Sequence, residues 1–406
     1  MGCDALEDAT GFKIVQARDI DVTLPSGLPM LSIRERKPVG KTARLCAVGD
    51  IGFSGRVRLS AERLGYGRML EEVAPFLRTA QCVLGNLEFP IVECNSPNPL
   101  FKCDPRVAEA LRDAGFNIIH LANNHTLDHG QRAFADTLRW VSACGMRPLG
   151  AGSSIQEARR VVICEPSGLK VGFLGCGRTL LRQATAGPAY WEFSGAELVE
   201  AVRSIRPLVD VVVVSIHIGL MYLDYPRLEH KRMAEDLMRA GAHLVLMHHA
   251  HVLQGLEVTS RGSVCSYNLG DFILDSQEGN VQSAVVPELQ KEGCVFFAEL
   301  DSAGVALAGV LPTNITDECS VVWATGERGM RVLERLRRIS ADLTGDYARL
   351  FVQQRAERNT AETLRVLGFH LIRGHLSYVA SELAKLRFEH IRMLLTWAAK
   401  RLGARW

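Results

Sequence analysis

The sequence predicts an α/β fold, and three observations carry that prediction. Between residues 43 and 310, short apolar runs alternate with segments of helical period, the rhythm of strands joined by crossover helices. Five of the runs stop on side chains able to hold a metal ion: Asp50, Glu88, Asn124, His217, and the trio His248, His249 and His251. Such endings suit parallel sheets, whose ligands bind beyond the carboxyl ends of the strands. With 406 residues, 47% hydrophobic and 23% charged, the chain has an ordinary globular composition and length for one large core plus an appendage.

Residues 1–42 carry weak periodicity, with Pro25, Pro29, Pro38 and a polar run at 34–37, and are expected to form an irregular lead-in. The main domain is expected over 43–325. Its first strand runs from Arg44 into Gly49 and Asp50, and a helix is expected over 69–79. The run 82–84 leads into Gly85, Asn86, Leu87 and Glu88. Pro105 suits the first turn of a helix over 105–114, which Gly115 stops. The run that starts at Phe116 ends in Asn123, Asn124, His125, Asp128 and His129, before a helix over 131–143.

In GAGSSIQEA, residues 150–158, glycines precede a helix start as in a phosphate loop, yet Ser154 with Glu157 fits a capping box. The capping reading is preferred. Helices over 195–208 and 227–240 flank the run 211–216, which delivers His217; Gly241 stops the second of them. The run 244–247 then delivers the three histidines.

Net charge is +2, unevenly spread: residues 327–406 hold 16 Lys/Arg against 8 Asp/Glu, and the rest of the chain 31 against 37. Residues 326–406 read as a basic helical appendage, and in 376–397 Leu376, Val379, Leu383, Leu386, Ile391, Leu394 and Trp397 approximate one apolar face. Such a stretch can lie on the inner face of a membrane, dock on a partner, or pack on its own body. The eleven cysteines are scattered singly without a C-x-x-C pair, which suits a reducing compartment and the cytoplasm. The first twenty residues lack the basic and apolar regions of a signal peptide, and no apolar run has the length of a spanning helix.

Imidazoles and carboxylates from separate strand ends can seat one or two divalent cations. Such ions polarise a phosphoryl or carbonyl oxygen and lower the pKa of bound water, so hydrolysis is the expected reaction class. Asp50, Glu88, Asn124, His217, His249 and His251 are the expected ligands, a mixed O and N set suited to Mn, Fe, Zn or Mg. His125, pointing away from Asn124 on an extended backbone, is the expected general acid, with Asp128 orienting its ring. His249 and His251, two apart on an extended segment, are expected on one face, with Asn86, Asn123, His248, Asn268 and Asp271 in support. Singly, each has a structural explanation: Asp50 as a turn or cap residue, Asn86 and Asn124 as partners of loop amides, His217 as a core histidine. Their recurrence at strand ends favours a site.

Six motifs resemble the CapA/PgsA capsule-synthesis family, in its order over residues 43–310. They are Gly49-Asp50, GNLEFP at 85–90, ANNHTLDHG at 122–130, His217-Ile218-Gly219, HHAHVLQ at 248–254 and NLGDF at 268–272. The resemblance implies a calcineurin-like metallophosphoesterase sandwich, with layered β-sheets flanked by helices, and a link to capsule or poly-γ-glutamate biosynthesis. It puts Asp50, Asn124, His217, His249 and His251 in the metal-binding places and His125 in that of the catalytic histidine. There are departures. The D-x-H of metallophosphoesterases reads Asp50-Ile51-Gly52, and the bridging Asp becomes Asn86, with Glu88 as a substitute carboxylate. H-W-G-x-E-Y becomes His217-Ile218-Gly219-Leu220-Met221-Tyr222, and S-L-G-N-F becomes Asn268-Leu269-Gly270-Asp271-Phe272.

The expected function is a metal-dependent hydrolase of a phosphoester or an amide-linked anionic polymer, in capsule, poly-γ-glutamate or exopolysaccharide biosynthesis. The alternative is a non-catalytic assembly factor with a degenerate metal site, whose tail recruits the capsule-synthesis machinery. Nucleic-acid processing is disfavoured, because aromatics make up 7% of the chain and no RNP-like or zinc-finger pattern accompanies the basic charge.

Overall fold

Alternation along the strands builds two sheets with a shared interior. The computed structural model describes residues 10–21, 24–93, 100–179, 183, 187–274 and 287–372. In the strand Val211–His217, Val211 and Val213 join Leu45, Ala47 and Leu84 of the other sheet, while Val212, Val214 and Ile216 face the helices Gly195–Ile205 and Leu228–Ala240. The same switch operates in Thr42–Ile51: Leu45 and Ala47 face the second sheet, Cys46 and Val48 the outer layer with Leu111 and Phe134. Strands apolar on both faces are what a sheet covered on both sides requires. The layers are therefore helix, sheet, sheet, helix.

The ten-stranded sheet runs in the order Lys13–Gln16, Pro29–Glu35, Gly304–Ile315, Glu292–Asp301, Thr42–Ile51, Cys82–Leu87, Ile118–His120 and Arg147–Leu149. Asp271–Ile273 pairs beside Thr42–Ile51, and Val321–Trp323 beside Gly304–Ile315. The six-stranded sheet runs Leu256–Val258, Val264–Ser266, Leu244–His248, Val211–His217, Val171–Gly177 and Val162–Cys164. The central pairs of the six-stranded sheet are parallel, as is the run from Thr42–Ile51 to Arg147–Leu149 in the large sheet, which Glu292–Asp301 joins antiparallel; the parallel runs set their carboxyl ends along one edge. This is the layered α/β sandwich that the sequence predicts.

The helix signals hold at most places. Arg106–Ala114 and Leu228–Ala240 end at Gly115 and Gly241, whose φ values of +106° and +117° are left-handed and free of penalty only for glycine. Ser154 and Ser194 accept from the amides of Glu157 and Glu197, so the glycines at 150 and 152 precede a capped turn. The helix expected over 69–79 is instead a short 3₁₀ turn, Gly67–Leu70, followed by Ala74–Leu77, because Pro75 suits only a first turn. No disulfide joins the nine cysteines among the described residues, and no described helix is long and apolar enough to cross a membrane.

The lead-in expected over 1–42 is corrected: Lys13–Gln16 and Pro29–Glu35 are strands of the large sheet. Pro29 sits at the first position of its strand, where a missing N–H is tolerated, and Leu31 pairs with Val310. Residues 326–342 are also part of the body, as Val332, Leu333 and Leu336 of the helix Gly326–Asp342 enter the core between the sheets. The helix Tyr347–Ile372 follows, with Tyr347 and Phe351 in the outer core of the second sheet. The amphipathic stretch at 376–397 lies outside the described residues.

Candidate metal centre

The carboxyl edges of the two sheets meet, and the polar strand ends meet with them. Asp50 lies one residue from the end of Thr42–Ile51, and Glu88 directly follows Cys82–Leu87. Asn123, Asn124 and His125 follow Ile118–His120; His217 and His248 are the last residues of neighbouring parallel strands. Asp271 opens a short strand paired with Asp50. That approach needs Gly49, since a Cβ there would sit 1.8 Å from the Gly270 carbonyl oxygen.

Two groups of donor atoms form, and Glu88 belongs to both. In one, Glu88, His217 and His249 bring ligand atoms within 4.8 Å of one another; in the other, Asp50, Glu88 and His251 do the same. His217 Nε2 lies 2.6 Å from Asn124 Oδ1, 3.1 Å from His249 Nδ1 and 3.9 Å from Glu88 Oε1, so Asn124 completes the first group. In the second, His251 Nδ1 is 3.5 Å from Asp50 Oδ2 and His251 Nε2 is 3.6 Å from Glu88 Oε1. All six residues expected as ligands are brought together.

The supporting residues hold this arrangement from behind. Asn86 donates to Asp50 Oδ1 at 2.7 Å, its Nδ2 lies 3.1 Å from His217 Nδ1, and its Oδ1 accepts from Asn123 at 3.2 Å. Asn86 is thus a scaffold for ligands. Asn123 also donates to the Leu87 carbonyl at 2.8 Å, which ties the His125 loop to the Glu88 strand. His251 donates through Nδ1 to Asp271 Oδ1 at 2.8 Å, an arrangement that fixes its ring. His248 bonds Ser215 through Nε2 at 3.1 Å, and Asn268 accepts from the Gly270 amide at 2.8 Å.

Electrostatics fit a cation here. Asp50, Glu88 and Asp271 are all buried, and Glu88 Oε1, Glu88 Oε2, Asp271 Oδ2 and His248 Nδ1 find no hydrogen-bond partner among the described residues. Burial pushes the Asp50 carboxyl up to about 6, and burial with Asp50 and Asp271 nearby holds Glu88 well above its usual value, against the pull of His251. Burial also lowers His217, and brings His249 down to about 3 with help from His251. Burial opposes charge on His251 too, but Glu88, Asp271 and Asp50 together outweigh it and raise that imidazole. Uncompensated buried carboxylates beside neutral imidazoles are costly unless a metal ion is coordinated. The residues present fit one.

His125 stands at the rim. Its Nδ1 donates to Asp128 Oδ2 at 2.5 Å, leaving Nε2 3.7 Å from Glu88 Oε1. Phe89 and Phe101 pack the ring at centroid distances of 5.2 and 4.8 Å. The backbone of 124–129 is a series of turns instead of the extended segment expected, so Asn124 and His125 diverge by loop geometry. His129 faces away, its Nε2 on the Leu100 carbonyl.

The histidine turn also differs from expectation. His249 and His251 do not share a face of an extended segment: their φ values are +99° and +56°, and they serve different ligand groups. Non-glycine residues persist in that region only where the surroundings over-determine them, and such strain clusters at functional sites. Phe89, Phe101 and Tyr222, whose ring lies 5.8 Å from that of His251, were missed. The motifs GNLEFP and HIGLMY contain two of them; nothing in the sequence marks Phe101.

The chain is 27% identical over 285 residues to the capsule biosynthesis protein CapA of Bacillus anthracis, covering 66% of this chain and 67% of that one. It is 27% identical over 238 residues to the PGA biosynthesis protein CapA of Bacillus subtilis, covering 56% and 62%. A probable polyglutamine synthesis accessory protein of Mycobacterium tuberculosis is 26% identical over 297 residues, covering 68% and 76%. The chain spans about two thirds of the length of the CapA relatives. Among solved structures, a calcineurin-like phosphoesterase of Bacillus subtilis aligns with a TM-score of 0.39 at 14% identity, over 74% of this chain and 98% of that one. A 5'-nucleotidase of Candida albicans aligns with a TM-score of 0.42 at 9% identity, over 77% and 61%. Residues 44–276, more than half of the chain, match the family described as bacterial capsule synthesis protein PGA_cap, and the chain belongs to that family.

Proposed function

We propose that this protein is a metal-dependent hydrolase of the metallophosphoesterase type that serves capsule or poly-γ-glutamate biosynthesis, acting on a phosphoester or an amide-linked anionic polymer. One observation carries the reading: two ligand groups share the buried, unpartnered carboxylate of Glu88. Asp50, Glu88 and His251 would hold one divalent cation, and Glu88, Asn124, His217 and His249 a second. A cation so held supplies Lewis acidity toward a phosphoryl or carbonyl oxygen.

The chain's own groups do the rest. His125, with Nδ1 committed to Asp128, presents Nε2 toward the centre and gives a proton to the leaving oxygen or nitrogen. Phe89 and Phe101 limit water around that ring and fix its plane. Asp271 holds His251, and Asn86 holds Asp50 and lies against His217, so these side chains are positioned from behind.

A second reading, an assembly factor that binds polymer without cleaving it, is favoured by Gly52. The third position of the D-x-H motif, Gly52, has no imidazole, and a Cβ there would lie 2.5 Å from the Phe89 ring. Elemental analysis of the wild type beside the double variant His249→Ala/His251→Ala separates the readings, with turnover measured on phosphoesters and γ-glutamyl peptides. One or two Mn, Fe or Zn ions per wild-type chain, lost with turnover in a folded variant, supports the hydrolase. Metal without turnover on any such substrate supports the assembly factor.

A further inference from the structure

The loop that leaves His217 is clamped by the C-terminal helices, and the clamp reaches the histidine turn of the metal centre. Tyr222 on that loop has φ +63°, a left-handed conformation that an aromatic residue adopts only under constraint. The constraint comes from two sides. Inward, the Tyr222 amide donates to the Ala250 carbonyl at 2.6 Å, and Ala250 is the residue between His249 and His251. Outward, the Arg358 guanidinium on the helix Tyr347–Ile372 lies 5.2 Å from the centre of the Tyr222 ring and donates to the Met221 carbonyl.

Neighbouring contacts hold the same loop to the same helices. Gln354, one turn before Arg358, accepts from the Asp224 amide at 2.8 Å. Arg335 on the helix Gly326–Asp342 pairs with Asp224, and Asp342 accepts from the Tyr225 hydroxyl at 2.6 Å. Tyr222, His249 and His251 are therefore three strained residues braced against one another, with Arg358 behind them. A planar guanidinium can stack on a ring and donate to a carbonyl from the same position; a lysine ammonium, a compact and strongly hydrated point charge, does this poorly.

We propose that Arg358 is a positioning residue for the metal centre. By clamping the Met221–Tyr222 turn it keeps the His249–Ala250–His251 turn in the shape that aims both imidazoles, so the C-terminal helix governs how tightly metal is held. The inference rests on the reading of this site as a metal centre. Residues that orient metal ligands from behind change affinity by about 10- to 100-fold when removed.

The test uses the full chain as wild type, Arg358→Ala, Arg358→Lys and, as a control on the same helix, the exposed Arg355→Ala. Mn(II) affinity is measured by competition with a chromophoric chelator, and amide hydrogen exchange is followed in peptides covering 218–227 and 246–254. Arg358→Ala is expected to weaken Mn(II) binding by about 10-fold or more and to speed exchange in both peptides. Arg358→Lys should recover part of the affinity, and Arg355→Ala should match the wild type. Wild-type affinity in Arg358→Ala, or an equal loss in Arg355→Ala, overturns the proposal while leaving the metal centre intact. A wild type that binds none of Mn(II), Fe(II) and Zn(II) overturns the metal-centre reading itself, and this inference with it.

Discussion

Replacing Glu88 by Gln should change the stability of this protein in opposite directions with and without metal. Glu88 is 1% exposed, and its Oε1 lies 3.6 Å from His251, 3.7 Å from His125 and 3.9 Å from His217. Burial first, then Asp50 and Asp271, hold its carboxyl well above the usual 4.5, with His251 opposing. A folded-state value above the unfolded one favours the neutral acid. Its contribution is complete below pH 4.5 and is lost as pH rises through the folded-state value.

Above that folded-state value the chelated wild type carries a buried carboxylate that His251 offsets only in part. Glu88→Gln removes that charge, a gain of about 1–3 kcal/mol if it resembles other unsatisfied buried groups, or several degrees in unfolding midpoint. With Mn(II) at 100 times its dissociation constant, the wild type gains about 2.7 kcal/mol, and the variant, short of the shared ligand, gains little. The assay is scanning calorimetry of both chains at pH 8, with chelator and with Mn(II), repeated at pH 5, where the chelated difference should shrink. An equal Mn(II) shift in both chains, or a lower midpoint for chelated Glu88→Gln at pH 8, would refute the placement of Glu88 between two ions.

Two other outcomes are expected. His125→Ala should keep the wild-type metal content and lose at least about 100-fold in kcat on an alkyl phosphoester, with a smaller loss on a nitrophenyl ester whose leaving group needs no proton; equal losses would remove the acid role. Burial, with Arg206 nearby, brings the His243 imidazole from 6.5 down to about 4, while its Nδ1 accepts from the Val212 amide at 3.0 Å. The stability this neutral ring supports is complete above pH 6.5 and lost as pH falls toward 4, at most roughly 3 kcal/mol. Urea unfolding of His243→Gln should show a shallower pH dependence in that window, and parallel curves would count against the assignment.

The parts of this fold that show in the sequence are those decided locally. A run of four to seven apolar residues ending on Asp50, His217 or His248 announces both a doubly covered strand and its polar edge. Lys13–Gln16 and Pro29–Glu35 do not announce themselves, since Ser32 and Leu31 find their partners at Gly309 and Val310, far along the chain, and prolines break the local period. The residues that gather at the strand ends were legible by type, but the route by which His249 and His251 reach separate groups was not. Sequence pattern assumes φ in the ordinary region for non-glycine residues, and both histidines leave it under a constraint supplied by Tyr222 and its neighbours.

Gly52 shows how a departure in a motif can be structural in origin. Its amide donates to the Ile273 carbonyl at 2.6 Å, and Phe89 fills the space a side chain would need. The Phe89 ring in turn meets His125 edge-on at 5.2 Å. A histidine at position 52 would displace the ring that packs His125. The packing that fixes His125 is thus incompatible with an imidazole ligand at 52, and Asp271, through its hold on His251, anchors the Asp50 side of the centre in the absence of that ligand.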